Sequence, residues 1–459
     1  MTQPLFSSLA LPDALLKNIS TLGFATMTPI QEKALPLALK GCDLIAKAKT
    51  GSGKTATFAI NILTRLYLKD LNCQGLVLCP TRELATQVAK EIRRLARYQQ
   101  NVKVVILCGG QAIGPQIGSL AHGAHIVVGT PGRVQDHLRK KTLMLNKVKT
   151  VVLDEADRML DLGFSDSIQA IISHTPTHRQ TLLFSATYPK EIKQLSKNIQ
   201  HEPEEVTVES THSANHIRQA FYLAEDVSKS QLLLKLLGHY QPASAVIFCN
   251  TKKNCKEVGT FLYQQDYKPL VLHGDLVQKE RDQVLVRFAN QSATLLVATD
   301  VAARGIDIKH LPAVINYDLS RDPNIYVHRI GRTGRAGKQG LALSIYTSRE
   351  QHILNSISDH LRYALPFADH HQLSESLHAP KNAPMVTLCI DGGRKHKIRP
   401  GDILGALTGD ADIPGDRIGK IDIFDFFAYV AVDRNYIKKA LGRLLQGKIK
   451  GKKLKVRRL

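Results

Sequence analysis

Short apolar runs rich in β-branched residues, each closed at once by a polar, glycine- or proline-containing signature, recur along the first 350 residues of this chain. Residues 76–78, 126–128, 151–153 and 182–184 are such runs, and amphipathic stretches separate them. They read as buried strands of a parallel sheet. The signatures that follow them are Pro80-Thr81-Arg82, Gly129-Thr130-Pro131-Gly132-Arg133, Asp154-Glu155-Ala156-Asp157 and Ser185-Ala186-Thr187. Chemistry therefore gathers just past the carboxyl ends of strands, where open α/β sheets bind ligands.

The rhythm restarts after a polar stretch near residues 209–215, with strand candidates at 246–248, 295–297 and 314–315. A chain of 459 residues is too long for one core. The plain reading is two α/β lobes, over residues 1–210 and 217–368, then a linker at 369–384 and a third unit at 385–459. In that third unit the expected order is strand 386–390, helix 401–407, strands 418–422 and 427–432, helix 436–445 and strand 454–456. This β-α-β-β-α-β order is the split βαβ arrangement of an α+β domain.

Two strings carry phosphate chemistry. Ala48-Lys49-Thr50-Gly51-Ser52-Gly53-Lys54-Thr55 has the grammar of a loop that wraps triphosphate oxygens in backbone N–H groups. Gly51 and Gly53 let backbone approach the oxygens closely; Lys54 would reach the β- and γ-phosphates and Thr55 would sit on Mg2+. Asp154 would hold the same metal, and Glu155 would orient and deprotonate the attacking water. Alone, Asp-Glu-Ala-Asp is an ordinary helix start with its charge on the dipole. About a hundred residues past a phosphate loop, a metal-and-base pair is the better reading. The second string, His328-Arg329-Ile330-Gly331-Arg332-Thr333-Gly334-Arg335, offers guanidinium groups to a γ-phosphate during its transfer. A site built from such distant halves can open and close with nucleotide state, which points to a motor.

Asp154-Glu155-Ala156-Asp157 is the tetrad that names the DEAD-box RNA helicases, and the chain resembles that family over about residues 4–365. Ala48 misses the general phosphate-loop pattern but matches the family's A-x-T-G-x-G-K-T. The resemblance implies two tandem RecA-like parallel-sheet lobes. Phe6 and Gly23-Phe24 precede Thr28-Pro29-Ile30-Gln31, which is similar to the family's adenine-reading motif. By that likeness Gln31 would read the adenine edge and select ATP, and Phe24 would stack on the base. Ser185 and Thr187 would bond the acidic tetrad, Asp157 included, and couple hydrolysis to RNA. Arg304-Gly305-Ile306-Asp307 resembles the motif whose aspartate holds the ribose. Arg332 and Arg335 match the family's arginine fingers, and His328 its link toward the first lobe.

The same likeness lays out an RNA track. Pro80, Thr81 and Arg82, Gly109-Gly110, and Thr130, Pro131, Gly132 and Arg133 resemble the first lobe's RNA motifs. Asn250-Thr251, Gln278 with Arg281, Thr299-Asp300 and Arg304 resemble those of the second. Glycine turns, helix starts, hydroxyls and a few arginines make a phosphate track that reads no bases.

Residues 386–459 hold 17 Lys+Arg against 8 acids, a charge of +9, and resemble a degenerate RNA-recognition motif. Strand alternation places Ala428, Val430 and Val432 on the core face and Phe427 and Tyr429 on an open face, where the resemblance implies base stacking, although Asp425-Phe426 replaces the motif's leading Lys/Arg-Gly. The first strand offers no aromatic there, so recognition is also expected to lean on residues 394–399 and the basic end. A DEAD-box core followed directly by such a module resembles the bacterial DbpA group of the family. That likeness implies a hairpin of large-subunit ribosomal RNA as the target, and a role in ribosome assembly.

Composition sets the outer limits. The net charge of +22 favours polyanionic partners. Seven cysteines without a C-x-x-C pair argue against a cysteine zinc site or disulfide framework and for a reducing compartment. No apolar run reaches the roughly 18 residues of a membrane span, and no signal peptide is evident. The expectation is a cytoplasmic, monomeric, RNA-stimulated ATPase that unwinds RNA and uses ATP and Mg2+. An ATP-regulated RNA clamp is the alternative, disfavoured by the intact Glu155, Arg332 and Arg335.

Overall fold

The computed structural model describes residues 4–48, 52–208, 217–303, 311–334, 339–374, 382–409 and 412–459. Two compact units divide at residues 212 and 213. In the first, strands β1 (Leu44–Lys47), β2 (Gly75–Leu78), β3 (Val104–Leu107), β4 (Ile126–Gly129), β5 (Thr150–Asp154), β6 (Gln180–Ser185) and β7 (Glu204–Thr207) form one sheet. Its order is β3-β4-β2-β5-β6-β1-β7, and every pairing is parallel. Alternate residues of one strand enter two cores: Leu76 and Leu78 pack on one face, Val77 on the other. With both faces covered, the strands read as unbroken apolar runs.

The second unit repeats the plan. Strands β8 (Ile217–Leu223), β9 (Ala245–Cys249), β10 (Leu270–Leu272), β11 (Leu295–Thr299), β12 (Ala313–Asn316), β13 (Gly340–Tyr346) and β14 (Phe367–Ala368) give the parallel order β10-β11-β9-β12-β13-β8-β14. Both sheets thus have the doubly wound layout expected of RecA-like lobes.

The same unit carries a four-stranded antiparallel sheet of β15 (Met385–Ile390), β16 (Ile418–Ile423), β17 (Ala428–Asp433) and β18 (Val456–Arg458), ordered β16-β17-β15-β18. Helices Pro400–Thr408 and Ile437–Gln446 pack on one face through Ile403, Leu407, Ala440 and Leu444. The expected element order holds, with β18 starting two residues later, and Leu454 lies against Gly392. Part of the expected linker belongs to the second lobe: β14 runs into the short helix His370–Gln372, and Leu373 is buried in the lobe's core.

Candidate nucleotide and RNA site

Sheet order sorts the signatures of the first unit. The carboxyl ends of the neighbours β5, β6 and β1 carry Asp154, Ser185 and Ala48; those of β3, β4 and β2 lead to Gly109, Thr130 and Pro80. One sheet edge is therefore split into a nucleotide half and a polar half.

In the nucleotide half, Gly53 has φ 101°, a left-handed conformation that favours glycine, and opens the helix Lys54–Thr64. A Cβ there would lie 2.7 Å from both Thr28 Oγ1 and Gln31 Nε2, so the loop is pressed against the Thr-Pro-Ile-Gln segment. Gln31 is buried, accepting from the Thr28 amide at 2.8 Å and donating to the Gly53 carbonyl at 3.3 Å. An amide oxygen has a second lone pair and the NH2 a second hydrogen, and adenine reading would have to use those. Phe24 is half-buried, 6.5 Å from the Phe6 ring, with the Arg94 guanidinium over it at 5.6 Å. Lys49, Thr50, Gly51, Arg304, Gly305, Asp307 and Arg335 lie outside the described residues.

Lys54 and Asp154 are both buried, and among the described residues Lys54 Nζ, Asp154 Oδ1, Ser52 Oγ and Thr28 Oγ1 have no hydrogen-bond partner. Buried polar atoms left unsatisfied need an explanation, and a phosphate with its metal supplies one. Burial lifts the Asp154 carboxyl from 3.8 to about 6, against the pull of the Lys54 ammonium and with help from Glu155 and Asp157. A carboxylate held this way gains most from a divalent cation, and Asp154 and Thr55 both offer the oxygen ligands that Mg2+ takes. Glu155 turns the chain off β5 at φ 53°, unusual for a side chain larger than glycine, and stands 3.5 Å from Arg158.

Asp157 joins β5 to β6. Its Oδ2 accepts from the amides of Ala186 and Thr187 at 3.2 and 3.0 Å and from Thr187 Oγ1 at 2.9 Å. Ser185 Oγ donates to the Thr187 carbonyl at 2.5 Å. The acidic tetrad and the Ser-Ala-Thr turn are thereby one hydrogen-bonded unit.

In the other half, Thr81 caps the helix Arg82–Leu95, and the Arg82 guanidinium fills the space where Gly110, at φ 66°, would carry a Cβ. Thr130 precedes the helix Pro131–Arg139, and Gly132 has open space around it. Arg133 donates twice to the Gln111 carbonyl at 3.1 Å. The structure brings these residues together on three adjacent strand ends.

In the second lobe Asn250 and Asp300, expected on the RNA track, also have an internal partner. Arg329, only 2% exposed, forks onto both Asp300 oxygens at 2.7 and 2.6 Å. It also donates to Asn250 Oδ1 at 2.9 Å and the Asp318 carbonyl at 2.6 Å, and lies over the Phe248 ring at 5.2 Å. Asn250 and Asp300 are thus committed to a buried arginine that ties β9, β11 and β12 together. Within an arginine-rich string nothing marks that arginine as internal. Thr251 caps the helix Lys252–Gln264; Thr299 is buried. Gln278 bonds Asp282 at 2.8 Å and Arg281 the Ala302 carbonyl at 3.4 Å. His328 lies in the last turn of the helix Pro323–Ile330; Arg332 follows it, half-exposed, its carbonyl accepting from the Leu311 amide at 3.4 Å.

The largest correction concerns the third domain. Phe427 and Tyr429 do lie on the face away from the domain's own helices, but that face is covered. Thr387, Cys389, Tyr429 and Ala431 are at most 2% exposed. The second lobe's helix Gln278–Ala289 sits on them: Val286 packs with Cys389 and Tyr429, and Lys279 lies 4.9 Å from the Phe427 ring centre. Ser292 Oγ and Thr387 Oγ1 are 2.6 Å apart, and Met385 donates to the Gln291 carbonyl at 3.3 Å. Stacking of bases by Tyr429 on this sheet is therefore excluded in the docked arrangement.

One rim of the domain is rich in basic residues. The loop after β15 is wedged against the turn before β17, with Gly393 so close to the Phe424 and Asp425 carbonyls that a Cβ would not fit. Arg394 and Lys395 donate their amides to those carbonyls at 2.8 and 2.9 Å. Lys450 and Lys452 reach the carbonyls of Lys397 and His396 from the other side. Phe426, at 57% exposure, stands in the same turn, an aromatic the strand pattern did not single out.

Comparisons with known proteins agree on the family. The chain matches the DEAD/DEAH box helicase model over residues 28–195, the helicase conserved C-terminal domain over 228–337 and the DbpA RNA binding domain over 387–458. ATP-dependent RNA helicase DbpA of Escherichia coli K12 is 52% identical over 455 residues, covering 99% of each chain. ATP-dependent RNA helicase CshA of Listeria monocytogenes is 44% identical over 77% of this chain and 68% of its own. Among solved structures, Saccharomyces cerevisiae Dbp5 bound to RNA and ADP BeF3 matches with TM-score 0.72 and 32% identity, over 80% of this chain and 96% of that one. Mss116p bound to ssRNA and AMP-PNP gives TM-score 0.72 at 26% identity, over 90% and 86%.

Proposed function

The chain belongs to the DEAD-box ATP-dependent RNA helicases, whose members are RNA-stimulated ATPases, and from that membership we infer how its residues divide the work. Lys54 holds the β- and γ-phosphates, Gln31 and Phe24 take the adenine, and Gly305 with Asp307 takes the ribose. Thr55 and Asp154 would hold Mg2+, which would supply positive charge to the triphosphate. Glu155 orients the attacking water and accepts its proton. Arg332 and Arg335 meet the charge that develops on the γ-phosphate, and His328 assists them. The observation that carries this reading is the set of buried unpartnered atoms, Lys54 Nζ and Asp154 Oδ1 foremost, beside the Asp157–Thr187 bonds. Those bonds tie β5 to β6 within the nucleotide half, and β5 adjoins β2, the nearest strand of the half bearing Thr81, Arg82, Gly110, Thr130 and Arg133, which grips the RNA backbone. RNA engagement there reaches Glu155 through Asp157.

The C-terminal domain selects the RNA. Its rim of Arg394, Lys395, Lys397, Lys450 and Lys452 provides phosphate contacts, and Phe426 offers a face for one base. The target we propose is a structured segment of large-subunit ribosomal RNA, met during ribosome assembly in the cytoplasm by a monomeric enzyme. The likeness to DbpA over the full length supports that choice. The test is ATP hydrolysis by the full chain with a large-subunit ribosomal RNA fragment, an unrelated RNA hairpin and DNA. Stronger stimulation by the ribosomal fragment, weaker by the hairpin and none by DNA is expected; equal stimulation by both RNAs removes the target.

A further inference from the structure

At the edge of the second lobe's sheet, β14 pairs with β8 in parallel, Phe367 beside Phe221 and Ala368 beside Tyr222. The chain therefore leaves both strands at the same end. Beyond β8 comes Asp226; beyond β14 come His370 and His371, set on a short helical turn that Asp369 starts by accepting from the His371 amide at 2.9 Å. The two imidazole rings lie 4.1 Å apart. His370 Nε2 is 3.1 Å from Asp226 Oδ1 and His371 Nε2 is 3.4 Å from Asp226 Oδ2. All three donor atoms fall within 4.8 Å of one another.

His370 is only 7% exposed, and its Nε2 has no well-directed hydrogen bond among the described residues. At 3.1 Å from Asp226 Oδ1 the ring nitrogen is poorly directed for a hydrogen bond, and a cation set beside both atoms would use both lone pairs. With Zn–N and Zn–O bonds of about 2.0–2.2 Å, ligand atoms of a tetrahedron stand about 3.3–3.5 Å apart; each imidazole nitrogen faces its own Asp226 oxygen, at 3.1 and 3.4 Å, so small side-chain rotations bring both nitrogens and one oxygen onto such a set. Two imidazoles and one carboxylate suit zinc-class transition metals and not magnesium, which takes oxygen ligands. The half-exposed Asp226 and the more exposed His371 leave room for water at a fourth position.

We propose that His370, His371 and Asp226 form a binding site for one divalent transition-metal ion of the zinc class. The ion acts as a clasp. It fastens the segment that leads to the C-terminal domain onto the lobe's edge, where Leu373 is buried and the Ser374 amide donates to His239 Nδ1 at 3.1 Å. This site is independent of the nucleotide and RNA readings above. It also escapes the cysteine pattern, because it uses no thiolate.

The test is titration of the full chain with Co2+ and with Zn2+, in magnesium-free buffer without nucleotide, following the visible Co2+ bands and the stoichiometry of Zn2+ by calorimetry. One equivalent is expected. His371→Ala, whose side chain is 67% exposed and whose loss leaves the fold intact, should weaken binding at least tenfold, as should Asp226→Asn. His352→Ala, an exposed histidine elsewhere in the lobe, should bind as the parent does. Zn2+ should raise the thermal midpoint of the parent and not of His371→Ala. Equal binding by the parent and His371→Ala overturns the site, and so does binding of less than one equivalent by the parent; the cluster is then an ion pair alone.

Discussion

Asp154 carries a conflict that function resolves. Burial holds its carboxyl at about 6 in the fold, against 3.8 for the free group. Between roughly pH 4 and 6 the native chain keeps a proton that the unfolded chain has released. This group's contribution to stability is therefore full below about pH 4 and is lost as pH rises through 6. Metal binding has the opposite sign, because the ligand must be the carboxylate. Affinity for a fluorescent Mg-ATP analogue should fall toward tenfold per pH unit below about 6 and level off above 7; affinity that stays flat from pH 5 to 8 would take Asp154 out of the metal site. Thr187 makes a second prediction at this scale. Thr187→Val removes the 2.9 Å bond to Asp157 while leaving both backbone bonds. Nucleotide affinity should stay within about twofold while strand separation per ATP hydrolysed drops; coupling that survives intact would mean the hydroxyl plays no part.

Arg329 and the docked helix belong to the scale of elements. Arg329 satisfies acceptors from the ends of three strands inside the second lobe, and a lysine cannot reproduce its fork. Arg329→Ala leaves Asp300 without its partner and should cost about 3–5 kcal/mol in chemical denaturation; Arg329→Lys should recover part of that. A loss below about 1 kcal/mol for Arg329→Ala would show that its hydrogen bonds contribute little net stability. The contact between helix Gln278–Ala289 and the third sheet can be locked chemically. Ser292 Oγ and Thr387 Oγ1 lie 2.6 Å apart, so cysteines at both places should oxidise to a disulfide. If the exposed basic rim reads RNA, the crosslinked full chain should keep its preference for the ribosomal fragment. If bases must reach Tyr429, crosslinking should abolish that preference and reduction should restore it.

Across the whole molecule, what was legible followed from local rules and what was not depended on packing partners. Buried parallel strands announce themselves as apolar runs, and the signatures after 76–78, 126–128, 151–153 and 182–184 fall at strand ends as expected. Alternation along β17 correctly separated Val430 from Tyr429. It carries no information about what covers the second face, and here another domain's helix does. The bonds of Asn250 and Asp300 to Arg329 were not legible, because a polar residue after a strand looks the same whether it meets phosphate or a buried guanidinium. The linker starts later than expected because the three-residue turn His370–Gln372 and the single buried Leu373 are too short to leave a periodic signal. The reading of the whole chain as a turnover machine, not a clamp, comes down to Glu155 at the end of β5, and multiple-turnover unwinding tests it most directly. A labelled RNA duplex joined to a large-subunit ribosomal RNA fragment should be separated repeatedly by the parent chain with ATP. Glu155→Gln should bind ATP and RNA as tightly yet separate strands about 10²–10⁴-fold more slowly; repeated separation by both proteins at the same rate would contradict hydrolysis-driven unwinding and leave an ATP-regulated clamp.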